Sequence, residues 1–246
     1  MHRVSTSGFF NRIQYKMTKD ILGQAISDYY NYQRDQILWV HDKHGPKVEM
    51  PVATYFRNEN KMPELELAAL NICKGKVLDI GAGAGSHSLA LEDRKIKVTA
   101  IDISPLAVEV MSMRGVSNTL VQDIFLFQGK KFDTLLLLMN GIGLCGNIIG
   151  LRRFLNHAKK LIRPGGQLIF DSSDVAYLFE DDIPVLDHYY GEIECRYEYK
   201  KQKSDWFTWL YIDRNTLALI AEDEGWNVEV ITEDNSGQYL SRLTLK

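Results

Sequence analysis

Three cysteines in 246 residues, Cys73, Cys145 and Cys195, are odd in number and far apart, which excludes a disulfide framework and any zinc or redox motif. Free thiols in a reducing, cytoplasmic compartment fit that count. Positive charge is not in excess: 29 Lys and Arg stand against 32 Asp and Glu, a net charge of −3. The total therefore implies no general face for nucleic acid or for a membrane surface. The run Lys200-Lys201-Gln202-Lys203 is a local exception and reads as a solvated hairpin tip. A long unbroken apolar stretch is also missing. Residues 135–151 come nearest, but Asn140, Asn147 and four glycines divide them into a buried strand, a loop and a helix start. Met1 to Lys16 lacks the apolar core of a secretory signal and reads as a flexible tail, with Met17 as an alternative start.

What is present is an ordinary globular composition, 45% hydrophobic and 25% charged, at a length that suits one large α/β domain with additions. The most informative stretch is Val77-Leu78-Asp79-Ile80-Gly81-Ala82-Gly83-Ala84-Gly85, followed by the helical composition of Ser86 to Leu91. A strand, a glycine turn and a helix start would aim backbone N–H groups and the positive end of a helix at a polar or anionic ligand. Gly81 and Gly83 would admit that ligand close to the backbone. The spacing is not the dinucleotide fingerprint, because Ser86 stands where the third glycine belongs and Gly85 comes one residue early. No Gly-Lys-Ser/Thr follows, which excludes a Walker phosphate loop. Lys97 to Ile101 reads as a second strand. Asp102 stands at its tip, 21 residues after Gly81, where an acceptor-only carboxylate suits both hydroxyls of a ribose. Ser104 before Pro105 is a good start for the next helix.

These two segments, Asp79 to Gly85 and Asp102-Ile103-Ser104-Pro105, resemble the first two motifs of the class I S-adenosylmethionine-dependent methyltransferases. The likeness continues through Thr119 to Val121 with Gln122-Asp123-Ile124. It continues through Phe132 to Leu138, ending in Met139-Asn140-Gly141-Ile142-Gly143, and through Leu161 to Phe170 with its Pro164-Gly165-Gly166 turn. It thus runs from about Gly75 to Ser173. The resemblance implies S-adenosyl-L-methionine as cofactor, held by Asp79, Gly81, Ala82, Gly83, Asp102, Ile103, Asp123, Ile124, Met139 and Asn140. In that scheme Asp102 takes the ribose, Asp123 the adenine amino group, and Ile124 gives a backbone N–H and an apolar wall. The implied fold is a Rossmann-like three-layer α/β sandwich around a seven-stranded, mostly parallel sheet of order 3-2-1-4-5-7-6. Its last two strands, near 226–232 and 238–245, would form a hairpin with strand seven antiparallel. Asp213 or Asn215 would cap a helix that runs through Glu224 and stops at Gly225.

Two pieces stand outside this scheme. Residues 1–63 read as the flexible tail and a helical lid, with Ile21, Leu22, Ala25, Ile26 and Tyr29 on one helical face. As a lid, the segment would turn Tyr55, Phe56 and Arg57 toward the cofactor, with Arg57 on the methionine carboxylate. Residues 64–246 form the cofactor-binding domain, interrupted near 174–212 by an aromatic β-hairpin. That insertion reads as a cover for the acceptor or as a dimer contact.

Methyl transfer from a sulfonium needs nucleophile, carbon and sulfur held in line rather than a fixed catalytic triad. Asn140-Gly141-Ile142-Gly143 is not the Asn/Asp-Pro-Pro-Tyr of DNA and protein amine methylators. Met139-Asn140 and Asp171-Ser172-Ser173-Asp174 do not supply the acids of a metal-dependent catechol-type enzyme, so no metal is expected. A small-molecule acceptor remains, taken up by a monomer or homodimer, with His188, Tyr189, Asp171 and Asp174 as candidate bases and His87 as a structural residue. Two alternatives stay open. One is a non-catalytic module that binds S-adenosylmethionine or its product; the other is a nicotinamide-dependent reductase, opposed by the glycine spacing and by Asp79.

Overall fold

The computed structural model describes residues 19–43, 45–179 and 187–246. The expected flexible tail, the start at Met17 and residues 180–186 of the insertion lie outside the described residues. Helix α1 (Ile21–Tyr30) is followed by the short strands β1 (Trp39–Asp42) and β2 (Val48–Glu49), and then by α2 (Glu64–Ile72). Strand and helix next alternate: β3 (Lys76–Ile80), α3 (Ser86–Asp93), β4 (Lys97–Asp102), α4 (Pro105–Met113), β5 (Thr119–Val121), β6 (Phe132–Leu137), α5 (Ile148–Leu161) and β7 (Ile162–Ser173). The insertion supplies β8 (Glu192–Tyr199), β9 (Gln202–Lys203) and β10 (Phe207–Leu210). Helix α6 (Arg214–Asp223) and the strands β11 (Trp226–Glu233) and β12 (Gln238–Leu245) close the chain.

Seven strands form one sheet in the order β11-β12-β7-β6-β3-β4-β5. Renumbered along the sheet this is the expected 3-2-1-4-5-7-6. Strand β12 runs antiparallel to both β7 and β11, and the inner pairs are parallel. Side chains alternate across the sheet and build two cores. Leu78, Leu135, Leu137, Leu168 and Phe170 meet Leu151, Phe154 and Leu155 of α5 and Leu217 and Ile220 of α6. Val77, Val98, Leu136 and Ile169 meet Leu65, Ala69 and Leu70 of α2 and Ala90 and Leu91 of α3 on the other face. The result is the three-layer sandwich.

One expectation needs correction. The N-terminal segment is not a purely helical lid beside a separate inserted hairpin: the two share a second, antiparallel sheet of order β10-β8-β1-β2, with β9 on β8. Val40 pairs with Tyr197 and Asp42 with Cys195, across more than 150 residues of chain. Lys200 and Lys201 form the expected hairpin tip, both at positive φ (47° and 61°), the conformation of a tight hairpin turn. Lys200 is not simply solvated, because its Nζ lies 2.6 Å from Asp28 Oδ2 on α1. Helix α1 is further fastened at its start, where Asp20 caps it and Ser104, the cap of α4, donates to Asp20 Oδ2 at 2.6 Å.

Candidate cofactor and acceptor site

The turn between β3 and α3 needs its three glycines for different reasons. Gly81 (φ +70°), Gly83 (φ +56°) and Gly85 (φ +82°) all occupy the left-handed region. A Cβ on Gly85 would stand 2.8 Å from Val116 and 2.9 Å from Met111, so this glycine lets α3 pack against α4. A Cβ on Gly81 would meet nothing within 4 Å, so the turn leaves open space there. Four of the backbone N–H groups of this turn are engaged within the fold. Gly81 and Ala82 donate to Ile101 O, Gly83 to Asp102 Oδ2 and Gly85 to Ala82 O. Tying the turn to the end of β4 uses those donors up. A site so built suits a ligand recognised by oxygen acceptors, such as a sulfonium amino acid linked to a nucleoside.

Asp102 supplies such acceptors at the tip of β4. Its Oδ2 accepts from Gly83 N–H and its Oδ1 from Ser104 N–H, both at 2.9 Å, which fixes the carboxylate while leaving lone pairs on each oxygen. Burial pushes its pKa up to about 6, against the pull of those two N–H groups. The side chain of Ile103 is 67% exposed beside it, and Ile124 is buried. Asp123 lies just beyond the neighbouring strand end, where Val121 pairs with Asp102. Its Oδ1 accepts from Phe125 N–H at 2.8 Å and its Oδ2 makes no hydrogen bond among the described residues. Asp102, Ile103, Asp123 and Ile124 thus converge at two adjacent strand tips, as the motif spacing requires.

A buried charge network supports the turn from below. Ser88 donates to Asp79 Oδ2 at 2.6 Å, and Asp79 is fully buried. His87 Nε2 lies 2.9 Å from Glu66 Oε2, in agreement with a structural role for His87. Burial raises the pKa of Glu66, but His87 and Arg57 outweigh it and hold the carboxyl below its usual range. Arg57 is engaged there: its guanidinium pairs with Glu66 Oε1. Of the three lid residues expected to face the site, Tyr55 lies on the glycine turn, its ring 2.9 Å from a Cβ built on Gly83. Phe56 packs on Tyr29 and beneath Arg114.

The end of β6 carries the strained backbone of the site. Met139 (φ 61°) and Asn140 (φ 55°) are consecutive non-glycine residues in the left-handed region. Asp171 holds them, because Asn140 N–H donates to its Oδ2 at 2.8 Å and Gln238 Nε2 to the same atom at 2.7 Å. Burial pushes the Asp171 pKa up to about 6. Asp171 is fully enclosed, so the structure makes it the support of this turn. Tyr189 is occupied elsewhere: its hydroxyl donates to Asp213 Oδ2 and accepts from Asp213 N–H, at the cap of α6. Asp174 caps a short turn and accepts from the Tyr190 hydroxyl, and His188 is exposed.

The second sheet turns one face toward these elements. A Cβ on Gly143, just after the strained turn, would stand 2.0 Å from the Trp209 indole nitrogen, so only glycine admits that ring. Asn140 Nδ2 donates weakly to Leu210 O at 3.4 Å, and Ile212 N–H donates to Ser172 Oγ at 3.0 Å. Burial, and then the Asp102 charge, raise the Tyr55 hydroxyl well above its ordinary range. Tyr197 is raised likewise by burial and by its neighbours Tyr55, Cys195, Tyr211 and Asp102. The aromatic wall therefore spans from the Asp102 end of the site to the turn after β6. The sequence reads this insertion as a cover or a dimer contact; the contact of Gly143 with Trp209 is what places it against the turn after β6.

A methyltransferase-domain family model matches residues 74–216. An S-adenosylmethionine-dependent methyltransferase from Bacteroides fragilis, solved with S-adenosyl-L-homocysteine, is 45% identical with a TM-score of 0.86, over 92% of this chain and 95% of that one. A methyltransferase from Clostridium acetobutylicum shares the fold at 14% identity and a TM-score of 0.58, over 76% of this chain and 93% of that one. Demethylmenaquinone methyltransferase from Tropheryma whipplei is 29% identical over 99 residues, covering 38% of this chain and 40% of that protein. With the glycine turn, the carboxylate at the tip of β4 and the sheet order in agreement, the chain belongs to the S-adenosylmethionine-dependent methyltransferases of the class I Rossmann-like fold, and its cofactor is S-adenosylmethionine.

Proposed function

We propose that this protein transfers a methyl group from S-adenosylmethionine to a small-molecule acceptor seated between the turn after β6 and the aromatic face of the second sheet. The observation that carries this reading is the pairing of Gly143 with Trp209, which sets a flat aromatic wall against the strained Met139-Asn140 turn. Asp102 would hold the ribose, and Asp123, Ile103 and Ile124 the adenine. Gly81, Ala82 and Gly83 would line the path of the amino-acid part, with Met139 and Asn140 beneath the reacting end. Asp79 would act through Ser88 by fixing the first turn of α3. Arg57 would reach the methionine carboxylate only by sharing its guanidinium with Glu66.

When bound, the cofactor supplies a methyl carbon already activated by a positive sulfur. The protein's residues then need to place the nucleophile behind that carbon and exclude water from it. The Trp209 ring and the inward tyrosines of the second sheet do the excluding. Aromatic rings on one side and the Met139-Asn140 turn on the other would suit a small molecule better than a folded protein or a nucleic-acid helix. The test is to offer the protein methyl-labelled S-adenosylmethionine with a small-molecule extract, bulk tRNA or denatured protein. The reading expects label in the small-molecule fraction alone. Label in RNA or protein would contradict it.

A further inference from the structure

A hollow opens at the amino ends of the parallel strands, at the far end of the sheet from Asp102. Strand β4 separates the two, and its five steps from Lys97 to Asp102 span about 16 Å. The hollow has a volume of about 690 Å³, the size of a small-molecule site. Buried Val98 and Phe132 and half-buried Ile96 form its apolar lining. Six cations surround it: Lys76, Lys95, Lys97, Lys130, Lys131 and Arg163. Lys97, Lys76 and Arg163 stand at the starts of β4, β3 and β7, Lys130-Lys131 lead into β6, and Lys95 lies in the turn after α3. In the sheet these four strands are neighbours.

Packing alone does not account for so much positive charge in one place. Lys76 and Lys97 are register partners on adjacent strands, and like charges so placed repel. Lys95 closes α3 at a φ of 64°, in the left-handed region where glycine is unstrained and lysine is not. The acids at the edge of the hollow are already engaged. Glu92 accepts from Ser117 N–H at 3.1 and 3.2 Å. Asp133 accepts from Lys76 N–H at 2.7 Å and from Arg163 Nη1 at 3.0 Å, and those contacts, with the Lys76 charge, hold its carboxyl below the usual range. The ammonium groups of Lys95, Lys97, Lys130 and Lys131 make no ion pair or hydrogen bond among the described residues. The ends of α3 and α4 point this way and add about half a negative charge each, which leaves positive charge in clear excess.

We propose that this hollow is a second binding site, for a small ligand that carries a chain of two or more phosphates. Linked phosphates put several negative charges within a few ångströms, and four unpaired ammonium groups around one hollow can share them. A bilayer or a nucleic-acid helix would touch only the exposed lysines at the rim. The depth of the hollow, lined by Val98 and Phe132, fits a ligand that enters it. Thr99 and Asn118, joined by a hydrogen bond of 2.6 Å, add polar groups to the same lining. A nucleoside polyphosphate and a bare oligophosphate share this chemistry. The site is independent of the methyl-transfer reading, because no residue of the cofactor turn or of the second sheet lines it.

Calorimetry with inorganic triphosphate tests this without relying on turnover. Excess S-adenosylhomocysteine is present, so that no adenosine compound is scored at the cofactor turn. Triphosphate should bind once per chain, at least tenfold more tightly than orthophosphate, and should weaken as salt rises. The double variant Lys97→Gln with Lys131→Gln removes two exposed charges and should weaken triphosphate at least tenfold, with affinity for S-adenosylhomocysteine unchanged. Adenosine triphosphate separates the two sources. Tighter binding than triphosphate gives the apolar lining to a base, equal binding gives the site to the phosphate chain alone, and either upholds the proposal. No binding of triphosphate, several weak equivalents per chain, or an unchanged affinity in the double variant would overturn it. So would tRNA or phosphatidylglycerol vesicles that bind the native protein more tightly than triphosphate and lose that binding in the double variant.

Discussion

At the scale of single residues, Asp102 is the group proposed to hold the cofactor's ribose. Its carboxyl, raised to about 6 by burial, is ionised above that pH and protonated below it. Hydroxyl donors on a ribose favour the ionised form, so binding is full above about pH 6 and weakens as pH falls through it. Between pH 7 and pH 5 the affinity for S-adenosylhomocysteine should drop about tenfold, by linkage to one proton. Titration calorimetry at both values checks this, and Asp102→Asn should flatten the dependence. The glycines of the turn should separate as well. Gly85→Ala meets Val116 and Met111 at a positive φ and should lower stability by about 2 kcal/mol, read as a fall in Tm. Gly81→Ala carries the same left-handed strain (φ +70°) but meets nothing within 4 Å, so its Tm should fall less than that of Gly85→Ala, while its added methyl also costs affinity for the cofactor. The places of Asp102, Asp123 and the glycines at the strand tips were legible because they follow from position along the chain. The partners of Arg57, Asp171 and Tyr189 were not. Glu66, Asn140 N–H and Asp213 reach them only through the tertiary fold.

Individual elements show the same division. The central strands were readable from their apolar runs, and α6 from Asp213, which accepts from Asn215 and Thr216 N–H groups. Strand β7 starts earlier than expected, at Ile162 rather than near 167, because Phe132 pairs with Ile162 ahead of the Pro164-Gly165-Gly166 turn. Strand β1 was hidden inside what reads as a lid, because four half-buried residues carry little local pattern and their pairing partner lies far along the chain. That pairing builds the second sheet whose aromatic face is proposed to wall the acceptor. Trp209→Ala on β10 should therefore raise KM for the acceptor about tenfold while leaving affinity for S-adenosylhomocysteine within twofold, a split that steady-state kinetics and calorimetry together would resolve. Equal losses in both would place Trp209 in the cofactor site instead.

Across the whole molecule, the seven-stranded sheet brings residues from five segments to the carboxyl ends of its strands, where ligands of open α/β sheets gather. Asp79 to Gly85, Asp102-Ile103, Asp123-Ile124, Met139-Asn140 and the face carrying Trp209 meet there, and α1 braces the second sheet through Lys200 and Asp28. No described helix is long and apolar enough to cross a membrane. The central claim is that these segments form one site for S-adenosylmethionine with Asp102 at its ribose end. It is tested most directly by calorimetric binding of S-adenosylhomocysteine and of NADH to the native protein and to Asp102→Ala. The native protein should bind S-adenosylhomocysteine and not NADH. In folded Asp102→Ala the affinity should be about 10- to 100-fold weaker, as expected for the loss of charge-assisted hydrogen bonds worth about 1.5–3 kcal/mol. Binding of NADH in place of S-adenosylhomocysteine, or an Asp102→Ala protein that binds as tightly as the native one, would contradict it.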